Sequence, residues 1–361
     1  MSYSVSYNAS GEKVEFISVD GGLTKKQLDE IVSIGVMDRI QFAAVPEESC
    51  LRALNEQYYS KYPQTGFRIY GLYDECDLSF LKYLTNIEKL SIESSGTVVG
   101  TDSFTAISNL KKLRFCVYLF QDFNFVKSIP KTLEQLAIST KSTAFNLSLL
   151  EPFQSLKVLH LHAYKKNIES LVNLKGLESL MLIGITPKSY DFLNQLNNLR
   201  LLKIHRGNKN DFSEIYGNNS ITALQLFRIS HLNSIEVLSQ LPNLEAVELC
   251  QLPHVKQFPV LASHTKLKHI HLDDLKSLSD FKAIESIPNL NSFSFSVCPP
   301  TIETEQILPV LRNKSLARCS FFTANSKKNQ QITELIKENK KQEYNNFITV
   351  RNLLFSNCTE I

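Results

Sequence analysis

The chain has 361 residues, more than one compact core usually holds, which leaves two or three domains or one elongated repeat array. Hydrophobic residues make up 43% and charged residues 21%, so a large core can be buried and general disorder is excluded. With 39 basic against 36 acidic side chains the formal net charge is +3, too even for composition to imply nucleic acid or an anionic membrane as a partner.

The N-terminal stretch MSYSVSYNASGEKVEF has no basic region leading into an apolar run, and no segment approaches the length of a membrane span. The expectation is a soluble, cytoplasmic protein. Seven scattered cysteines without a CxxC pair suggest reduced thiols rather than a disulfide framework or a zinc knuckle. Over residues 1–76, VEFISV from Val14, RIQFAAV from Arg39 and FRIYGL from Phe67 are predicted strands. Thr24 to Gly35 and Glu48 to Tyr62 are predicted helices between them. Their wide spacing suits longer repeats with full helices, or else a separate small α/β cap.

From residue 77 to 325 an L-x-x-L-x-L core recurs: IEKLSI from Ile87, LRFCVY from Leu113, LEQLAI from Leu133, LKVLHL from Leu156, LESLML from Leu177 and LRLLKI from Leu199. ITALQL from Ile221, LEAVEL from Leu244, LKHIHL from Leu267, LNSFSF from Leu290 and LARCSF from Leu316 continue it to eleven copies, 20 to 26 residues apart. Each copy follows an apolar pattern at helical spacing, as in NIESLVNLKGLESL, so the unit is a short strand plus a short helix or 3-10 turn. Such crossovers force successive strands to be parallel. Residues 326–361 open with KKNQQITELIKENKK, an amphipathic helix expected to cap the last strand edge, and the apolar NNFITVRNLLF after it is expected to pack.

These repeats resemble those of leucine-rich repeat proteins, close in length to the short SDS22-like class. The resemblance implies an α/β solenoid, a horseshoe with parallel strands on its concave face and short helices or 3-10 turns on its convex face. The chain departs from the family at the ninth position, where Asn is usual and Tyr164, Ile185, Gly207, Ile229, Leu252, Leu275 or Cys298 stands instead. Apolar burial must then fix those turns.

Strand alternation sends the third, fifth and seventh residues of each copy to the concave face. Those rows hold five of the eight histidines, His160, His162, His205, His269 and His271. Val158, Met181, Ile183, Leu201 and Phe227 form an apolar strip there that the leucine ladder does not need, and Phe115 falls on the same rows. Lys203, His205, Arg206 and Arg228 make a basic patch, and Glu248, Asp273 and Asp274 an acidic one. An apolar strip bordered by charge suits a protein partner.

His269, His271 and Glu248 converge as potential metal ligands, but His-x-His on an open sheet is a weak zinc signal, and neither metal nor cofactor is expected. Phosphate-loop, nucleophile-elbow, zincin and EF-hand motifs are missing from the sequence. Cys250 stands beside Glu248 and Asp273, whose charge disfavours a thiolate nucleophile. The reading is a monomeric, non-catalytic scaffold that binds another protein, and neither nucleic acid nor membrane, through its concave face. A regulatory protein using the histidines for a ligand or metal is the alternative.

Overall fold

The computed structural model describes residues 2–8 and 10–343. The apolar segment from Asn345 to Phe355 that was expected to pack lies outside them. The chain divides between Gly176 and Leu177 into two compact units.

In the first unit an antiparallel hairpin, Ser2–Tyr7 against Val14–Asp20, begins the sheet. Arg39–Phe42, Gly66–Leu72, Lys89–Ser94, Lys112–Val117, Gln135–Ser139 and Val158–His162 then add in chain order, all parallel. The first crossover is the helix Lys25–Ile34, started by a capping box between Thr24 and Gln27 and buried along Leu28 and Ile31. The second, Glu48–Ala53, runs on into the π-helical turn Leu54–Tyr59, which buries Tyr58 and Tyr59. Later crossovers shrink to 3-10 turns such as Leu78–Tyr83 and Ile168–Asn173.

Ile17, Ile40, Phe67 and Leu90 stand in one row of partners, so residues 1–76 share the register of the strands that follow. The row continues through Leu113, which is the fourth residue of its copy and not the first. That copy is therefore LKKLRF from Leu110. Moving the frame by three residues, an odd number, exchanges the two faces of the strand. Phe115, expected on the open face, is fully buried, stacked on Phe125 at 4.5 Å and edge-on to Phe120 at 4.9 Å. Lys112, Arg114 and Cys116 take the open face instead.

In the second unit Ser179–Ile183, Leu201–His205, Ala223–Phe227, Ala246–Cys250, His269–Asp273, Ser292–Ser296 and Arg318–Phe321 pair in parallel, followed by Gln342–Glu343. Its crossovers are 3-10 turns, except the irregular one between Cys250 and His269, until Thr304–Arg312, a full helix absent from the sequence expectations, with a capping box between Glu303 and Gln306. The expected terminal helix spans Ser326–Glu338, is capped by Asn325 and buries Ile332 and Ile336.

Ile185, Ile229, Leu252, Leu275 and Cys298 are all buried, as is Tyr164 in the first unit, so apolar packing does hold the turn at the ninth position. The eighth position has a matching backbone signature. Gly184, Arg206, Arg228, Gln251, Asp274 and Val297 all adopt positive φ, between 51° and 65°. At the first five the bend aims the amide at the next strand's seventh residue, as where Arg206 N–H donates to the Phe227 carbonyl at 2.8 Å and Gln251 N–H to that of Asp273 at 2.8 Å; beside Val297 it is the Cys298 N–H that donates to the Phe322 carbonyl at 2.8 Å.

Three polar residues replace the leucine that precedes the strand by one turn. Asn218 donates to the Leu193 carbonyl, buried His264 shares a hydrogen bond with the Leu241 carbonyl, and fully buried Asn313 donates to the carbonyls of Ile284 and Ile287. The Asn218 and Asn313 side-chain oxygens in turn accept from backbone amides two and three residues on. A missing apolar contact is thus replaced by bonds to the repeat before.

Candidate functional site

The face of each sheet opposite the crossovers carries the candidate residues, and its two portions belong to different units. His160 and His162 lie in the first, half-buried, and all the others in the second.

In the second unit the rows are ordered by strand register. The fifth-position row runs Met181, Lys203, Gln225, Glu248, His271, Ser294 and Ser320. The seventh runs Ile183, His205, Phe227, Cys250, Asp273 and Ser296. Parallel neighbours stand about 4.8 Å apart, so side chains along a row cover one another. The consequence is a sealed floor. Leu201 clusters with Ala223 and Ala246 and is buried, and Lys203 and Glu248 are 4% and 3% exposed. These three were expected as contact surface. They lie on the expected face but are roofed by their row neighbours.

Met181, Ile183, His205, Phe227, His269, His271, Asp273 and Asp274 are half-buried, and Arg206 and Arg228 are exposed. The two exposed side chains thus stand just past the strands' C-terminal ends, where the positive-φ bend throws the eighth residue outward. His205 meets the Phe227 ring edge-on with centroids 5.3 Å apart, and its Nε2 shares a hydrogen bond of 2.8 Å with Gln225 Oε1. The Arg228 guanidinium lies 5.1 Å from the centre of the Phe227 ring, and its Nε donates to Gln251 Oε1. His205, Phe227 and Arg228 form one cluster.

Two serines order the histidines that opened the metal reading. His269 Nδ1 shares a hydrogen bond with Ser292 Oγ at 2.8 Å, and His271 Nδ1 with Ser294 Oγ at 2.7 Å. Burial, followed by the charges of Arg318 and Lys268, holds His269 below its ordinary pKa. His269 does not join the potential ligand set. Glu248, Cys250 and His271 do, with ligand atoms all within 4.8 Å of one another.

The first unit has a polar face that the sequence rows missed. Arg68 clamps Glu93 through two bonds of 3.0 and 2.8 Å, Arg114 reaches the same carboxylate at 3.2 Å, and Arg68 and Arg39 both donate to Gln41 Oε1. Lys89 reaches Asp38 across Gly66, where a Cβ would stand 3.2 Å from the lysine stem and from the Asp38 carbonyl. Burial pushes both carboxyls up, but Lys89 and Arg39 hold Asp38, and Arg68 and Arg114 hold Glu93, below their ordinary pKa. Lys89 and Glu93 are the third and seventh residues of the Ile87 copy, so strand alternation already sends them to this face, whereas starting the next copy at Leu113 turned Arg114 the wrong way.

The six described cysteines form no disulfide with one another. Burial pushes the Cys76 thiol up to about 11 and those of Cys298 and Cys319 to about 12, which leaves them protonated and poorly nucleophilic. Among the described residues no helix is long and apolar enough to cross a membrane.

No family model matches the sequence, and no curated protein matches it. Among solved structures the chain is similar to Toll of Drosophila in its complex with Spatzle. The glycosylated form gives a TM-score of 0.53 at 15% identity over 85% of this chain and 50% of that one. A second such structure gives 0.51 at 12% identity over 88% and 52%. An internalin of Listeria monocytogenes aligns over 94% of this chain and 91% of its own, at 16% identity and a TM-score of 0.47. The chain spans about half the length of the Toll chains it matches. Parallel strands at 22- to 27-residue intervals, a leucine ladder behind them and the likeness to Toll together establish the leucine-rich repeat fold for this chain.

Proposed function

We propose that the chain is a non-catalytic, cytoplasmic recognition scaffold that binds a protein partner through the open strand face of residues 177–343. The observation that carries this reading is the His205, Phe227 and Arg228 cluster beside Arg206. It is an aromatic ring with an imidazole edge-on to it and one guanidinium beside it, raised at the strand ends above a floor that is already packed. Phe and Arg anchors surrounded by dry, near-neutral contacts are the usual source of interface energy. The parallel sheet preorganises them, so little entropy is lost on binding. Met181 and Ile183 extend the apolar side, and Asp273 and Asp274 supply the opposite charge that sets orientation.

Toll, which shares the fold, is seen bound to Spatzle, which supports a partner of the protein class. High thiol pKa values and the missing catalytic motifs favour recognition over chemistry, and described cysteines that form no disulfide with one another suit a reducing compartment. The test is affinity capture followed by mass spectrometry with the wild-type chain and a Phe227→Ala, Arg228→Glu variant. The expected result is a partner retained by the first and lost by the second, with identical far-ultraviolet circular dichroism. Equal capture by both chains would remove the proposed face from consideration.

A further inference from the structure

The floor of the second unit holds a constellation the partner reading does not use. Glu248 and Cys250 alternate on one strand, both pointing to the open face, and His271 stands on the next strand as the register partner of Glu248. Their ligand atoms lie within 4.8 Å of one another. We infer that Glu248, Cys250 and His271 form a zinc(II) site, with water in the fourth position.

The donor set decides the class of ion. A thiolate, an imidazole and one carboxylate suit zinc and neighbouring transition metals, whereas calcium and magnesium call for oxygen ligands throughout. Geometry agrees with this choice. Zinc bonds of about 2.0 Å to oxygen and 2.3 Å to sulfur at a tetrahedral angle put those two atoms about 3.5 Å apart. Cys250 Sγ and Glu248 Oε1 are 3.5 Å apart, with the thiol donating to the carboxylate. Coordination replaces that thiol proton, which leaves to solvent, and the carboxylate that accepted it becomes a ligand.

The surroundings also fit. Ser294 is buried, and its hydroxyl holds His271 Nδ1 at 2.7 Å, which fixes the ring and assigns Nε2 to the metal. Glu248 and Cys250 are 3% and 5% exposed, so the ligands sit in a wall that excludes most water, while half-exposed His271 leaves an approach from solvent. Asp273, the register partner of Cys250, adds negative charge beside the site. Lys203 opposes it from two strands away, with Gln225 between. The sequence pointed to His269 and His271 with Glu248, but the His269 ring is tied to Ser292 at 2.8 Å and stays outside the set. Cys250, two residues from Glu248 on the same face, joins Glu248 and its cross-strand neighbour His271 instead.

The test uses the full chain after treatment with a chelator. Zinc titration against a chromophoric competitor is expected to show one tight equivalent, and cobalt(II) substitution a thiolate-to-cobalt charge-transfer band with the intense visible bands of tetrahedral cobalt. Cys250→Ser should abolish the charge-transfer band, and Cys250→Ser, His271→Gln and Glu248→Gln should each weaken zinc by about 100-fold or more. Ser294→Ala should weaken it by about 10- to 100-fold. His269→Gln should leave it unchanged. His271→Gln, at a half-exposed position, carries the test if Cys250→Ser does not fold. Absence of a tight equivalent, cobalt binding without the sulfur band, or full affinity in the His271→Gln chain would each overturn the assignment.

Discussion

Replacing Val297 by glycine is expected to stabilise the second unit, although it removes a hydrophobic side chain. Val297 holds φ at 51°, in the left-handed region where a branched Cβ crowds its own backbone. Such strain costs on the order of 1–3 kcal/mol. Glycine relieves it but gains freedom in the unfolded chain, an opposing cost of about 0.5–1 kcal/mol. Because the valine is 52% exposed, few packing contacts are lost with it. The balance is a gain of about 1 kcal/mol, which raises Tm by about 2–4 °C for a unit of this size. Gly184 provides the reverse experiment at the equivalent position of another repeat. It has φ of 65°, and a Cβ added there meets nothing within 4 Å, so Gly184→Ala isolates the backbone term. That change should lose about 0.5–1 kcal/mol. Both variants would be followed by urea and thermal denaturation, with unchanged m-values confirming that stability itself is read. A lower midpoint for Val297→Gly, or no loss for Gly184→Ala, would refute the strain argument.

Asn313→Leu restores the apolar residue of the sister repeats, yet it is expected to destabilise by about 2–4 kcal/mol. The change strips two carbonyls and two amides of their buried partner, and a denaturation midpoint equal to wild type would contradict this. In the first unit, Asp38 and Glu93 ionise at lower pH when folded than in the unfolded chain, where carboxyls titrate near pH 4. Below that pH the unfolded chain takes up more protons, so the stabilisation present at neutral pH is lost as pH falls through the folded pKa values. Arg68→Met should flatten the acid limb of the stability curve; an unchanged slope would show that the clamp on Glu93 does not set it.

The leucine ladder was readable because an apolar residue at the first, fourth and sixth positions has one physical cause, burial behind a parallel strand. The same clarity misled at Leu113, where LRFCVY and LKKLRF both satisfy the pattern and only strand pairing chooses between them. Burial of Lys203 and Glu248 was not legible either, because row neighbours are 22 or 23 residues away in sequence and their combined cover depends on side-chain size across three strands. The grouping of possible ligands depended on side-chain direction in the same way: His269 turns to Ser292, and Cys250 is the group that comes within 4.8 Å of both Glu248 and His271. The five histidines do lie on the open-face rows that strand alternation assigned them, but row membership could not say which atoms meet.

Near-identical repeats carry a hazard of their own. A chain whose every turn offers the same leucines can slip by one whole repeat during folding and still satisfy each of them. Asn218, His264 and Asn313 remove that degeneracy. Each occupies a place that its sister repeats fill with an apolar residue, most often leucine or isoleucine, and each bonds to carbonyls of one particular preceding turn. A displaced pairing would bury an amide or imidazole against a turn not shaped to receive it. The three residues thus work as addresses, telling otherwise interchangeable coils which neighbour is theirs.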